Sequence, residues 1–138
     1  MVDTKNNLYV KMKNIHDDTI TKLLIVANDH YITASKDNSI KIHKIIDNDG
    51  VKSYKLVWKF NNVHNSCVND IVCFKKNNKT YILSGGDDDL IKLFELTFLT
   101  DASKMKNTCD YVWSYVNYYT HSLSYSDKGI LFVGGTRD

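Results

Sequence analysis

The chain has 138 residues, a formal net charge of +2, 43% hydrophobic and 25% charged residues. That length suits one domain. The composition excludes a disordered chain, and the small charge excludes a polyanion-binding role carried by charge alone.

The polar opening, Met1 to Asn7, has no apolar signal-peptide core, and no apolar run is long enough to span a membrane. Three cysteines, Cys67, Cys73 and Cys109, lack a disulfide-type spacing. A reducing compartment, cytoplasmic or nuclear, is expected.

In chain order, the first predicted element is a strand over Leu8–Lys13. Ile32–Ile45 follows as a strand, an acidic turn and a second strand, and Leu83–Leu96 repeats that pattern. A third copy starts at Leu131 and stops at Asp138. The turn aspartates Asp37, Asp88 and Asp138 recur about every 50 residues. Between copies, Tyr54–Phe60 matches Asp110–Val116, with Trp58 aligned to Trp113. The apolar runs Val68–Phe74 and Tyr119–Tyr125 come next. Strand segments are rich in Ile, Val, Tyr, Phe and Thr. Turns are predicted at Asn28-Asp29, Asp47–Gly50, Asn77-Asn78 and Asp127–Gly129, where residues tolerate left-handed backbone. The stretches 46–53 and 97–108 read as polar surface loops, and no amphipathic helix is evident.

These repeats resemble the WD-repeat family over nearly the whole chain. The resemblance implies an all-β fold, an incomplete β-propeller of four-stranded antiparallel blades. It divides the chain into a fourth strand at 7–13, repeat one at about 16–60, repeat two at about 64–116 and a truncated repeat three at about 119–138. It also implies a structural hydrogen-bond network in each repeat. The members are His16, Thr33 and Asp37 in the first and His64, Ser84 and Asp88 in the second. His43 and Phe94 stand where the family carries tryptophan, so His43 should hydrogen-bond Thr33 and the second network should end at Ser84. In repeat three Gly134 takes the hydroxyl position and Tyr119 stands near the histidine place, while His121 falls within a strand. Trp58 and Trp113 are expected to pack between blades.

The ends carry their own expectations. Met1 reads as a genuine start, with the first strand completing the last blade of a closed ring. About two and a half blades are present, against the 4–8 of known propellers. The chain thus reads as an N-terminal portion of a longer propeller or a truncated product. Its bare strand edges and faces should drive docking of the remaining blades, self-association or poor solubility.

The His–Thr–Asp set has the composition of a nucleophilic triad, but no nucleophile-elbow motif accompanies it. His64, Cys67 and Cys73 lack paired zinc-ligand spacing, and Cys73 reads as core. Asp87–Asp89 lacks a calcium-loop framework, so one carboxylate should enter the network and two should be solvated. The aromatic run at 111–119 lacks the interleaved basic residues that single-stranded nucleic acid needs. No cofactor and no metal is therefore expected, and no catalysis.

In WD-repeat proteins the residue before the turn aspartate faces partners. The resemblance thus marks Lys36, Asp87 and Arg137 as candidates for an interaction surface. The function this implies is a scaffold for other proteins within an intracellular complex, with no membrane and no direct nucleic-acid contact. The alternative is a subunit of an RNA-processing or ribosome-assembly complex, which strong salt-dependent RNA binding would favour.

Overall fold

A computed structural model describes residues 11–27, 29–99, 102–105, 109–114 and 118–137. Four strands form the first sheet: β1 (Ile20–Ala27), β2 (His30–Ser35), β3 (Ile40–Asn48) and β4 (Val51–Phe60). A second sheet holds β5 (Val68–Lys76), β6 (Lys79–Gly86), β7 (Leu90–Glu95) and β8 (Tyr111–Ser114). Two strands, β9 (Tyr119–Tyr125) and β10 (Leu131–Thr136), make a third, partial sheet. Each sheet is an antiparallel meander in which consecutive strands are neighbours.

Tight turns set the register. Asn77 and Asn78 both have positive φ (50° and 61°) and close the β5–β6 hairpin on the Lys76–Lys79 pair. Asp49 and Gly50 (φ 52° and 85°) do the same for β3 and β4 on the Asn48–Val51 pair. Two left-handed central residues give the turn whose twist matches paired strands, and Asn, Asp and Gly adopt it at least cost.

The sheets stack face to face through their first strands, β1 against β5 and β5 against β9. Between the first two sheets lies a core of Ile32, Ile40, Ile42 and Phe60 against Ile71, Ile82 and Phe94. Phe60 and Phe94 meet across that interface with ring centroids 4.9 Å apart. A second core, Leu83, Ile91 and Leu123, fills the space between the second sheet and β9–β10. The second sheet is thus covered on both faces, with Ile71 and Ile82 in the first core and Leu83 and Ile91 in the second. The outer faces are bare: Ile25 on β1 is 66% exposed and Phe132 on β10 is 58% exposed.

Hydrogen bonds reinforce the stacking. The Thr21 hydroxyl donates to the Val68 carbonyl, 2.6 Å away. Asp70, buried on β5, accepts from the Leu123 amide at 2.7 Å, and its other oxygen lies 3.4 Å from the Lys22 ammonium. One carboxylate thereby joins the first strands of all three sheets.

Several expectations change. Residues 46–53 are a hairpin rather than a loop, because β3 and β4 run on to the Asp49-Gly50 turn. The 97–108 connection carries two single-turn 3₁₀ segments, Thr97–Leu99 and Ala102–Lys104, with Met105 buried beside them. Of the strand expected at 7–13, residues 7–10 lie outside the described residues and 11–13 are irregular. The Trp58–Trp113 match also fails. Trp113 pairs with Ile91, whereas Phe60 pairs with the corresponding Ile40 and Trp58 with Ile42. Cross-strand register decides which side chain reaches the core, so Phe60 is the counterpart of Trp113. Tyr118 is half exposed and lies just ahead of β9.

Candidate functional site

The chain folds back on itself where the loop before each sheet's first strand meets the turn after its second strand. In the first sheet His16 lies in that loop. Its Nδ1 stands 2.8 Å from Asp37 Oδ2 and its Nε2 2.7 Å from Thr33 Oγ1. Asp37 also accepts from the Asp17 and Ser39 amides and from the Ser39 hydroxyl. In the second sheet His64 Nδ1 stands 2.6 Å from Asp88 Oδ1 and Nε2 2.9 Å from Ser84 Oγ. Asp88 accepts from the amides of Asn65 and Leu90. An ionised carboxylate only accepts, so each Nδ1 carries a proton; burial favours the neutral ring at His16, whose Nε2 then accepts from the Thr33 hydroxyl.

The glycine at 86 makes room for this arrangement. A Cβ there would sit 2.9 Å from His64 Cγ and 2.6 Å from the Cys67 carbonyl oxygen. The first sheet carries Ser35 two residues ahead of its turn aspartate, and its hydroxyl donates to the Asp18 carbonyl and accepts from the Asp37 amide. A lysine in each third strand completes the clamp. Lys41 donates to the Ile15 carbonyl and Lys92 to the Val63 carbonyl, each just ahead of the network histidine.

Burial pushes the Asp37 carboxyl up, but hydrogen bonds from Ser39, His16 and two amides outweigh it and hold it well below the usual carboxylate range. Asp88 is lowered in the same way, by His64 and the Asn65 amide against burial. Burial lowers His16, and its bond to Asp37 does not fully restore it. All three groups thus bind protons more weakly folded than unfolded. Their contribution is complete above the unfolded values and is lost as pH falls toward the folded ones. We expect the melting temperature, followed by circular dichroism, to decline as pH drops below about 6.5, where unfolded histidine titrates. A steeper decline should follow below about 3.8, the carboxylate range. A flat profile from pH 7.5 to 3 would contradict these ionisation states.

His64, Thr33 and Ser84 are wholly buried, and neither hydroxyl opens on a cleft. The arrangement satisfies polar groups inside the fold rather than presenting a nucleophile. Two expected details differ. Thr33 does not bond His43, whose Nδ1 is buried without a hydrogen-bond partner among the described residues; the hydroxyl is held by His16 instead. Tyr119 does not occupy the histidine place, because it opens β9 and pairs with Thr136. His121 lies inside β9, exposed, with Nε2 2.7 Å from the Thr136 hydroxyl. Asp138 lies outside the described residues.

Lys36, Asp87 and Arg137 all follow the second strand of their sheet, so antiparallel topology puts them at one end of the stack. Lys36 and Arg137 are exposed. Asp87 and Asp89 are half-buried rather than solvated. Asn69 explains the first of these, since its amide donates both to Asp87 and to the Thr120 carbonyl. Among the described residues no cluster of three or more His, Cys, Asp or Glu side chains is placed to hold a metal. Cys73 packs half-buried against the first core, and that burial raises its thiol pKa.

Sequence reasoning missed Asp70, Lys41, Lys92 and Asn69. Only the lysines left a signal, each following an Ile at or next to the start of the third strand (Ile40-Lys41, Ile91-Lys92).

The sequence between Tyr54 and Glu95 matches the WD40 family described as "WD domain, G-beta repeat". Residues 54–95 are thus similar to a WD repeat. The matched segment spans β4 of the first sheet and β5–β7 of the second, so the match and the sheet are staggered by one strand. The fold is that of a WD40 propeller fragment. It is similar to a solved structure titled "Crystal structure of WD40 beta propeller domain of Doa1", with a TM-score of 0.60 and 22% identity. The likeness takes in 90% of this chain and 36% of that one, and the propeller is not closed here. No curated protein sequence matches the chain.

Proposed function

We propose that the chain is a non-catalytic WD-repeat scaffold that holds other proteins within a larger cytoplasmic or nuclear complex. WD40 propeller domains generally serve as protein-interaction scaffolds, and the argument from fold to role is one of analogy. The repeats are assigned to 16–60, 64–116 and 119–138, each sheet pinned by its own imidazole and carboxylate in the first two.

The observation that carries this reading is that Lys36, Asp87 and Arg137 each follow the second strand of a sheet, at one end of the stack. Charges of mixed sign at spaced positions favour a complementary protein surface over a polyanion. Two of the three backbones are tied down: the Lys36 amide donates to the Thr19 carbonyl and the Asp87 amide to the Cys67 carbonyl. A surface of that kind loses little entropy on binding.

The test is affinity purification of the chain with and without Lys36→Glu, Asp87→Lys and Arg137→Glu. Co-purified proteins should fall several-fold for the triple variant, while circular dichroism shows the sheets intact. Unchanged recovery would remove this end of the stack from the reading.

A further inference from the structure

The opposite end of the stack carries a second surface, independent of the turns just described. β6 separates the two ends: its last residues lead into the Asp87–Asp89 turn and its first residues follow the Asn77-Asn78 turn. At that opposite end the β5–β6 and β9–β10 hairpins stand side by side. Between them lies a cleft of about 490 Å³.

Its floor is aromatic. Tyr125 stacks on Phe74 with ring centroids 4.0 Å apart, and Phe74 stacks in turn on Tyr81 at 5.4 Å. Gly129 (φ +81°) turns the β9–β10 hairpin where a side chain would be strained, and the Tyr125 hydroxyl reaches over it. The rim is basic. Lys75, Lys76 and Lys128 are all exposed and line the cleft, and none makes a hydrogen bond or ion pair among the described residues. The neighbouring Lys79, by contrast, is paired with Glu95. Among the described residues Asp127 is the single carboxylate lining the cleft. The cleft continues past Phe74 and Tyr125 into a pocket of about 460 Å³ walled by Leu83, Leu93 and Trp113.

We propose that this cleft is a docking site for an acidic peptide segment carrying an aromatic or large aliphatic residue. Three cations without a partner among the described residues, set around an apolar floor, are complementary to carboxylates flanking one apolar side chain. Stacked aromatic anchors lose little entropy on binding, and desolvation at the floor strengthens the rim attraction. Single-stranded nucleic acid fits worse. Phe74 stacks on Tyr81 and Tyr125 rather than offering a free face to a base, no arginine stands there, and Asp127 repels phosphate.

The experiment is fluorescence anisotropy on the 138-residue chain with a labelled pentapeptide, a tryptophan between two acidic residues on each side. Binding should weaken as salt rises. It should fall about tenfold or more for the chain carrying Lys75→Glu, Lys76→Glu and Lys128→Glu, since three attractions become repulsions. Tyr125→Ala should weaken the tryptophan peptide more than its glycine-centred counterpart. The lysines are exposed, so their variants keep the fold, and circular dichroism checks this. No binding, equal binding by the triple lysine variant, or tighter binding of a 15-nucleotide uridine oligomer than of the peptide would each overturn the proposal.

Discussion

Phe60→Ala is expected to lower stability by about 3–5 kcal/mol, the range for emptying a buried aromatic site. Phe60 is 1% exposed and sits where the first sheet meets the second, with its ring against Phe94. The backbone there is tied into β4 opposite Ile40, so the sheets cannot close over the void. Phe60→Leu should recover most of the loss, because an aliphatic side chain refills the space. Leu56→Ala is the control: that side chain, on the same strand, is largely exposed, and its removal should change stability by no more than about 0.5 kcal/mol. Urea denaturation reads all three. Equal loss at positions 56 and 60 would mean that the first two sheets do not share a core.

His64→Ala should cost about 3 kcal/mol, from a stranded hydroxyl, a half-stranded carboxylate and the vacated ring volume. The imidazole is wholly buried and is bonded to Ser84 within the described residues. Asp88 keeps the Asn65 and Leu90 amides, which limits the cost. A loss of that size should lower the melting temperature by about 10 °C in a domain of this length. His16→Ala should follow the same pattern in the first sheet, where Asp37 retains Ser39 and the Asp17 amide.

Much of this architecture was legible because its signals are local. The turn aspartates, the hydroxyl residues Thr33 and Ser84, and the histidines ahead of them recur in a fixed order. Asp37 and Asp88 also each accept from the amide two residues on, that of Ser39 and that of Leu90, which marks the turn locally. What stayed hidden depends on register between strands. Trp58 and Trp113 share a rare residue type, yet Phe60 and Trp113 share a place, because facing partners Ile40 and Ile91 set it. Asp70 joins strands far apart in sequence, which no periodicity encodes. The turn at Asp47–Gly50 is legible, but its polar neighbours hide the continuation of β3 and β4 up to it, although Asp-Gly between strand-forming runs is itself a hairpin signal.

The most direct test of the buried imidazole–carboxylate pin is the coupling between its two members. Stability would be measured for His64→Ala, for Asp88→Asn and for the double variant. The account predicts that the double change costs at least 1 kcal/mol less than the two single costs added together, since either substitution already strands the other group (typical of residues in contact, about 0.5–3 kcal/mol). Costs that add within about 0.5 kcal/mol would show two independent side chains, and would contradict the arrangement in which His64 holds the Asp88 turn against Ser84.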